Sequence, residues 1–201
     1  MSRTVVQADR SRPARDRILD AAVASVAAGG FQAAQMSLIA HAAGVGVGSL
    51  YKHFASQADL FAAIYDRTVS RELVVLREVL GRSDVPPLQR LSMGVRQFCD
   101  RSLRAGSLAY ALMVEPAGSV VDEHRLRLRE AFRTAIADLI DEAVREGAVR
   151  PHLVGTSSAA VLGVMSEALV RPLSGDPPDG DTQQYIDLIA AMALGAVRAT
   201  S

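Results

Sequence analysis

The residues best equipped to bind another molecule lie at positions 47 to 53. Tyr51, Lys52 and His53 carry groups that donate hydrogen bonds to phosphate oxygens or to base edges. Just before them stand three small residues that allow close approach to the floor of a groove: Val47, Gly48 and Ser49. Lys52 is also the only lysine of the chain. The chemistry that these residue types favour is contact with double-stranded DNA.

The same residues have simpler structural interpretations. Tyr51 could fill the core, His53 could bond a nearby backbone group, and Lys52 could be a solvated surface side chain. Phe54, which follows them, is assigned to packing. For the other three, the residues alone leave these alternatives open.

No motif of an enzyme or of a metal site is found. Gly44, Gly46 and Gly48 lack the further glycine and the βαβ context of a dinucleotide site. Neither a G-x-S-x-G motif nor a Walker lysine occurs. The histidines have no paired spacing of metal ligands: His41, His53, His124 and His152. The sequence therefore predicts no catalytic residue, no metal ion and no cofactor.

The spacing of the apolar residues predicts an all-α fold of about nine helices. The first amphipathic helix is expected to end at Gly29 and Gly30. Two short helices follow at 36 to 43 and 47 to 53, separated by a glycine turn. Ser56 is the expected N-cap of a long helix that runs to residue 80. Further helices are predicted at 87 to 104, 107 to 115, 120 to 147, 156 to 171 and 181 to 199.

Three parts are predicted along the chain. Residues 1 to 12 are polar and show no periodicity, so they are expected to form a flexible arm. Residues 13 to 60 form a three-helix unit, whose tight turn and short last helix indicate a helix-turn-helix at about 35 to 54. Residues 61 to 201 form a second, helical domain.

Composition limits the classes of function. The formal net charge is zero, so affinity for DNA must come from local placement of charge. Cys99 stands alone, which excludes an internal disulfide and suits a reducing compartment. The sequence has neither an apolar leader nor a run of roughly 18 apolar residues. These features predict a cytoplasmic protein without a membrane span.

The longest informative pattern covers residues 17 to 65. It reads RILDAAVASVAAGGFQAAQMSLIAHAAGVGVGSLYKHFASQADLFAAIY. With IL-AA, G-F, IA-AGV, LY-HF and S-DL in order, it resembles the DNA-binding domain of the TetR family. The resemblance implies a homodimeric transcriptional regulator, in most cases a repressor that a small-molecule inducer releases from a pseudo-palindromic operator. The DNA contacts that it implies are Gln35, Ser37, Val47, Gly48, Ser49, Tyr51, Lys52 and His53.

Three positions depart from the family's pattern. Gln35 and Gly46 stand where hydroxyl residues usually cap the second and third helices, and a glycine cap costs only a few tenths of a kcal/mol. Gln57 stands where a lysine commonly holds a DNA phosphate, which predicts weaker binding with a flatter salt dependence. Tyr51, Lys52 and the N-terminal arginines are expected to carry more of the contact.

The resemblance also implies a ligand pocket and a dimer interface within residues 61 to 201. Glu115 is the expected polar anchor of a pocket formed with Phe98, Tyr110, Met113 and Phe132. The last two helices are apolar on more than one face, which predicts burial against a second copy of the chain. The residues assigned to that interface are Val161, Leu162, Met165, Leu169, Ile186, Ile189, Met192 and Val197.

Two alternatives remain open at this point. The first is an enzyme or small-molecule carrier that keeps a TetR-like scaffold and has lost DNA binding. Gln57, the missing caps and the zero net charge favour it. The second is activation of transcription instead of repression. The sequence names neither the ligand nor the operator.

Overall fold

The computed structural model describes residues 13–176, 178 and 180–198, and within these ranges all regular structure is helical. The helices are α1 (Ala14–Ala33), α2 (Met36–Ala42), α3 (Val47–His53), α4 (Gln57–Leu80), α5 (Pro87–Ala105), α6 (Ser107–Met113), α7 (Ser119–Arg145), α8 (Val154–Leu173) and α9 (Thr182–Arg198). They lie close to the predicted positions, so the all-α fold is confirmed. The predicted arm at 1 to 12 lies outside the described residues. None of the described helices is long and apolar enough to cross a membrane.

A small apolar core holds α1, α2 and α3 together. Ile18, Ile39 and Leu50, one from each helix, are at most 1% exposed. Phe54, directly after α3, is 4% exposed and packs as predicted. Between α2 and α3 the chain turns at Gly44, which has a φ of 66°. Glycine adopts this left-handed conformation without strain, and the short turn depends on it.

α1 is interrupted near its end. Gly29 and Gly30 have non-helical backbone angles, with φ at Gly30 equal to 71°. The regular helix is therefore interrupted at these two glycines, as predicted, and helical structure resumes after them up to Ala33. Its last turn is stabilised by Phe31, which is buried with its ring centroid 4.9 Å from that of Phe61.

α4 joins the small unit to the helical bundle formed by α5 to α9. Ser56 caps its start as predicted, since the Ser56 hydroxyl accepts a hydrogen bond from the Asp59 amide at 3.1 Å. Leu60, Ile64 and Leu76 bury one side of the helix. The apolar core runs without a gap from α1 to α9. The predicted domain boundary at residue 60 therefore falls inside a helix that both domains share.

A buried arginine fixes the other end of α4. Arg90 of α5 donates from Nη1 to the carbonyl oxygen of Leu80 at 2.8 Å. Its Nη2 donates to the carboxylate of Glu142 on α7. The Arg90 side chain is only 4% exposed, and its hydrogen bond holds the pKa of Glu142 below the ordinary value. One guanidinium thus connects α4, α5 and α7.

The sequence-based assignment of the dimer interface needs correction. α8 and α9 pack against each other, and both pack against α5. Seven of the eight assigned residues are therefore buried inside the single chain, each at most 8% exposed: Val161, Leu162, Met165, Leu169, Ile186, Ile189 and Val197. A side chain buried in its own chain has little surface left for a partner. Only Met192, at 52%, is exposed.

Candidate DNA-binding surface and ligand cavity

α3 is held by one side chain and is open on its other side. Leu50 is fully buried, whereas Tyr51 is 48% exposed, which excludes a core role for this tyrosine. The side chains of Lys52 and His53 are exposed and have no hydrogen-bond or ion-pair partner among the described residues. The residues predicted to contact DNA lie on the exposed or half-buried part of this helix: Val47, Gly48, Ser49, Tyr51, Lys52 and His53.

α2 contributes a second set of exposed residues. Gln35 and Ser37, both predicted as DNA contacts, are exposed at its start. Leu38, which the sequence reasoning missed, is 57% exposed. The buried residues of α2 include Met36 and Ile39, so Leu38 falls off the buried stripe. That spacing was the available signal, because an apolar residue off the stripe must face solvent or a partner.

The small unit is fastened by long polar side chains. Arg17 of α1 donates from Nε to the carbonyl oxygen of Ala43 at 3.1 Å, which ties α1 to the start of the turn before α3. The guanidinium carbon of Arg15 lies 5.1 Å from the centroid of the Phe54 ring. Neither Gln35 nor Gly46 makes a side-chain cap. The position of α3 therefore depends on core packing and on these contacts from α1.

Gln57 has an internal role that the sequence did not reveal. Its Nε2 donates to the carbonyl oxygen of Ala34 at 2.9 Å, which connects the first residue of α4 to the link between α1 and α2. The side chain thus satisfies a backbone acceptor next to the helix-turn-helix. Its effect on DNA affinity stays a prediction.

An apolar cavity of about 120 Å³ lies among α4 to α8. Phe98 of α5 and Phe132 of α7 meet edge to face within its lining, with ring centroids 5.8 Å apart and planes at 71°. The aliphatic part of the lining comprises Val69, Ala105, Leu108, Ala109, Leu112, Met113 and Leu162. Such a lining favours the apolar part of a ligand.

Polar groups occupy part of the cavity wall. Arg101 and Glu72 form a two-bond ion pair with both distances at 2.6 Å. Arg125 lies with its guanidinium carbon 5.8 Å from the Tyr65 ring centroid, and burial raises the pKa of Tyr65. Arg129 has no hydrogen-bond or ion-pair partner among the described residues. No cluster of three or more metal-binding side chains occurs in the described part of the chain.

Only three of the five residues predicted for the pocket line the cavity. Phe98, Met113 and Phe132 line the cavity, whereas Tyr110 and Glu115 do not. The expected role of Glu115 as pocket anchor is corrected: its carboxylate accepts a hydrogen bond from the amide of Phe31 at 2.9 Å. Sequence reasoning missed the polar lining, including Tyr65, Thr68 and Glu72. Their spacing places them on one face of α4, and this was the only signal for them.

Known proteins with a similar sequence are found for this chain. The model of the family described as bacterial regulatory proteins, tetR family, matches residues 18–64. The transcriptional repressor KstR of Mycolicibacterium smegmatis is 37% identical over 145 residues, which cover 69% of this chain and 70% of KstR. The chain belongs to the TetR family. The family prediction made from residues 17 to 65 is confirmed.

A further relative and a solved structure are also similar to this chain. KstR of Mycobacterium tuberculosis is 31% identical over 137 residues, and the match spans 65% of this chain and 61% of that relative. The crystal structure of the regulator FadR from Bacillus subtilis, in complex with stearoyl-CoA, superposes with a TM-score of 0.78. That match has 17% identity and covers 91% of this chain and 99% of FadR, so it shows a common fold.

Proposed function

We propose that this TetR-family chain is a DNA-binding transcriptional repressor which a small molecule releases from its operator. One observation carries the proposal: the helix with the exposed face, α3, and the helices around the apolar cavity share one continuous core. The KstR relatives, which are named as repressors, favour repression over activation. A protein with this role acts in the cytoplasm and has no catalytic function.

The DNA-binding half of the proposal rests on α3. Gly46 and Gly48 have no atoms near the position of a Cβ, so the start of the helix is unobstructed. Tyr51 and Lys52 are exposed donors for phosphates or base edges. In a two-fold dimer, two copies of α3 would enter successive major grooves about 34 to 36 Å apart. A pseudo-palindromic operator is the expected partner.

The proposed dimer uses the outer side of α8 and α9. Leu188 and Met192 of α9 are 53% and 52% exposed, one turn apart on the helix. Ala191 beside them and Ala159 and Ala160 on α8 are small and exposed. Exposed large apolar residues among small ones support close packing against a second copy.

The ligand half of the proposal rests on the cavity. A volume of about 120 Å³ is near that of an engineered cavity, about 150 Å³, which binds benzene. A larger ligand must therefore widen the cavity and move the helices around it. The stearoyl-CoA bound to FadR supports a ligand with an apolar chain. Arg129, an exposed residue at the wall without an ion-pair partner in the described part of the chain, favours a negatively charged group on that ligand.

The DNA-binding claim is tested by selecting binding sites for the full chain from random DNA. We expect enrichment of a pseudo-palindromic sequence and loss of its binding in the double variant Tyr51→Ala, Lys52→Ala. Arg104→Ala, an exposed change on α5, is the matched control and should bind as the wild type does. If no sequence is enriched, the enzyme-or-carrier alternative is favoured. If the double variant binds the selected sequence normally, Tyr51 and Lys52 of α3 do not contact the DNA.

Ligand release is tested with stearoyl-CoA as the probe. The probe is expected to raise the melting temperature of the free protein and to weaken its binding to the selected operator. The variant Phe132→Trp narrows the cavity and should reduce both effects. Operator binding that the probe leaves unchanged, together with an unchanged melting temperature, would contradict a ligand of this class.

A further inference from the structure

α6 is bound to α1 at both of its ends. At the first residue of α6, the Ser107 hydroxyl donates to the carbonyl oxygen of Ala27 at 2.5 Å. Just past its last residue, the Glu115 carboxylate accepts from the amide of Phe31 at 2.9 Å. We call these two hydrogen bonds the α6 clasp. They join the helix that lies beside the cavity to the helix that leads into the helix-turn-helix.

The two backbone groups in the clasp, the carbonyl of Ala27 and the amide of Phe31, would bond to each other in a regular helix. In an unbroken α-helix the amide of Phe31 would donate to the carbonyl oxygen of Ala27, four residues earlier. The non-helical backbone at Gly29 and Gly30 interrupts the helix between them. Ser107 of α6 then supplies a donor for one group, and Glu115, just after α6, supplies an acceptor for the other. These two side-chain hydrogen bonds therefore stabilise the break in α1.

The opposite side of α6 faces the ligand cavity. Leu108, Ala109, Leu112 and Met113 all contribute to the cavity lining. α6 thus lies between the proposed ligand and the end of α1. A ligand that widens the cavity at these residues pushes on the helix that carries the clasp.

Arg125 of α7 connects the cavity wall to the clasp directly. Its Nη2 donates to the carbonyl oxygen of Glu115 at 2.9 Å, and its Nε donates to that of Leu112 at 3.2 Å. Its side chain is 17% exposed and forms part of the cavity lining. The same residue therefore touches the ligand space and fixes the backbone of Glu115.

We propose that Glu115 is a positioning residue, which holds the last turn of α1 and hence α2 in the orientation that binds DNA, and that Arg125 links this contact to the cavity. The inference rests on the proposed function and adds a route from ligand to DNA. Displacement of Arg125 or α6 loosens the clasp and frees the end of α1. The long helix α4 is then not the sole connection between the two domains.

The link is tested in the free protein by hydrogen exchange at the amide of Phe31. Arg125→Ala and Arg125→Lys remove the double contact to the carbonyls without touching Phe31, and both should raise its exchange rate about tenfold. Exchange at Ile136, in the core of α7, should stay unchanged and so separates local release from global unfolding. Glu123→Ala, a change of an exposed carboxylate on α7, is the matched control. Wild-type exchange at Phe31 in both Arg125 variants would overturn the link.

The positioning role is tested by operator affinity. Glu115→Ala should weaken binding about tenfold, whereas Glu115→Gln, which keeps an acceptor oxygen, should restore most of it. Operator binding by Glu115→Ala that equals that of Glu123→Ala would overturn the role. If the wild type binds no operator, the proposed function fails, and exchange at Phe31 still decides whether Arg125 controls the end of α1.

Discussion

The backbone of Gly30 lies directly against the carboxylate of Glu115: a Cβ at this position would come within 2.3 Å of Oε2. The residue also has a φ of 71°, which side-chain-bearing residues rarely adopt. Two separate requirements, conformation and space, therefore fall on one glycine. Gly44 has a similar φ of 66° but nothing within 4 Å of its Cβ position, so it offers a comparison without the close contact.

Gly30→Ala should destabilise the protein more than Gly44→Ala. A positive φ costs about 1 to 3 kcal/mol, and more at Gly30, whose ψ of −176° places it in a region almost restricted to glycine. At Gly30 the added methyl also displaces Glu115, whose hydrogen bond to Phe31 is worth about 1.5 kcal/mol or more. The free energy of unfolding, measured with denaturant, gives the comparison. Equal losses in the two variants would mean that the close approach of Glu115 contributes nothing to stability.

Gln57→Lys should strengthen operator binding and steepen its salt dependence. A lysine here adds one phosphate contact, which changes the slope of log K against log salt by about one unit. Gln57→Ala is the control: it loses the hydrogen bond to Ala34, which lowers stability by about 1 kcal/mol, and leaves the slope unchanged. Titrations at several salt concentrations measure both. A slope that does not differ between the two variants would refute the phosphate contact.

Met192→Lys should convert the proposed dimer into monomers. The side chain is 52% exposed, so the folded monomer loses no more than about 0.5 kcal/mol of stability, while the proposed interface gains an unpaired charge. Sedimentation velocity measures the oligomeric state. Leu126→Lys, at a 70% exposed residue of α7, is the control and should stay dimeric. If the two variants behave alike, the interface lies elsewhere.

Glu142→Gln should lower stability at neutral pH but not in acid. The hydrogen bond from Arg90 lowers the pKa of Glu142 from its ordinary value of 4.5 in the folded chain. Its contribution is therefore complete above about pH 4.5 and disappears as pH falls through the lowered pKa. We expect a difference of about 1.5 kcal/mol at pH 7.

Unfolding measured against pH for wild type and variant tests this expectation. Glu130→Gln, which breaks the exposed pair with Arg133, should show a much smaller change. A gap between wild type and Glu142→Gln that persists at pH 3 would show that packing, not ionisation, causes the loss.

Local patterns were enough to predict the helices and the helix-turn-helix. The turn at Gly44 and the burial of Ile39 and Leu50 depend on only a few neighbouring residues. Over such short distances, helical periodicity determines which side chains face inward. The match of residues 17 to 65 to the TetR pattern has the same origin, since a small core tolerates few substitutions.

Contacts between residues that are distant in the sequence could not be predicted from such local patterns. Glu115 and Phe31 are 84 positions apart, and no local pattern links an acid after one helix to the amide of another. Ile189 and Met192 are both apolar residues of α9, yet one is buried in the chain and the other is 52% exposed. Composition shows that a helix is apolar all round but not which neighbour covers each side.

Lys52 stands exposed on α3 as the only lysine in the sequence. A reagent or enzyme that acylates lysine therefore has one side-chain target, and it lies on the surface proposed to meet DNA. Acylation removes a positive charge there and nowhere else among the side chains. Protection of Lys52 from acetylation by bound DNA therefore becomes a direct footprint of the complex, without any mutation.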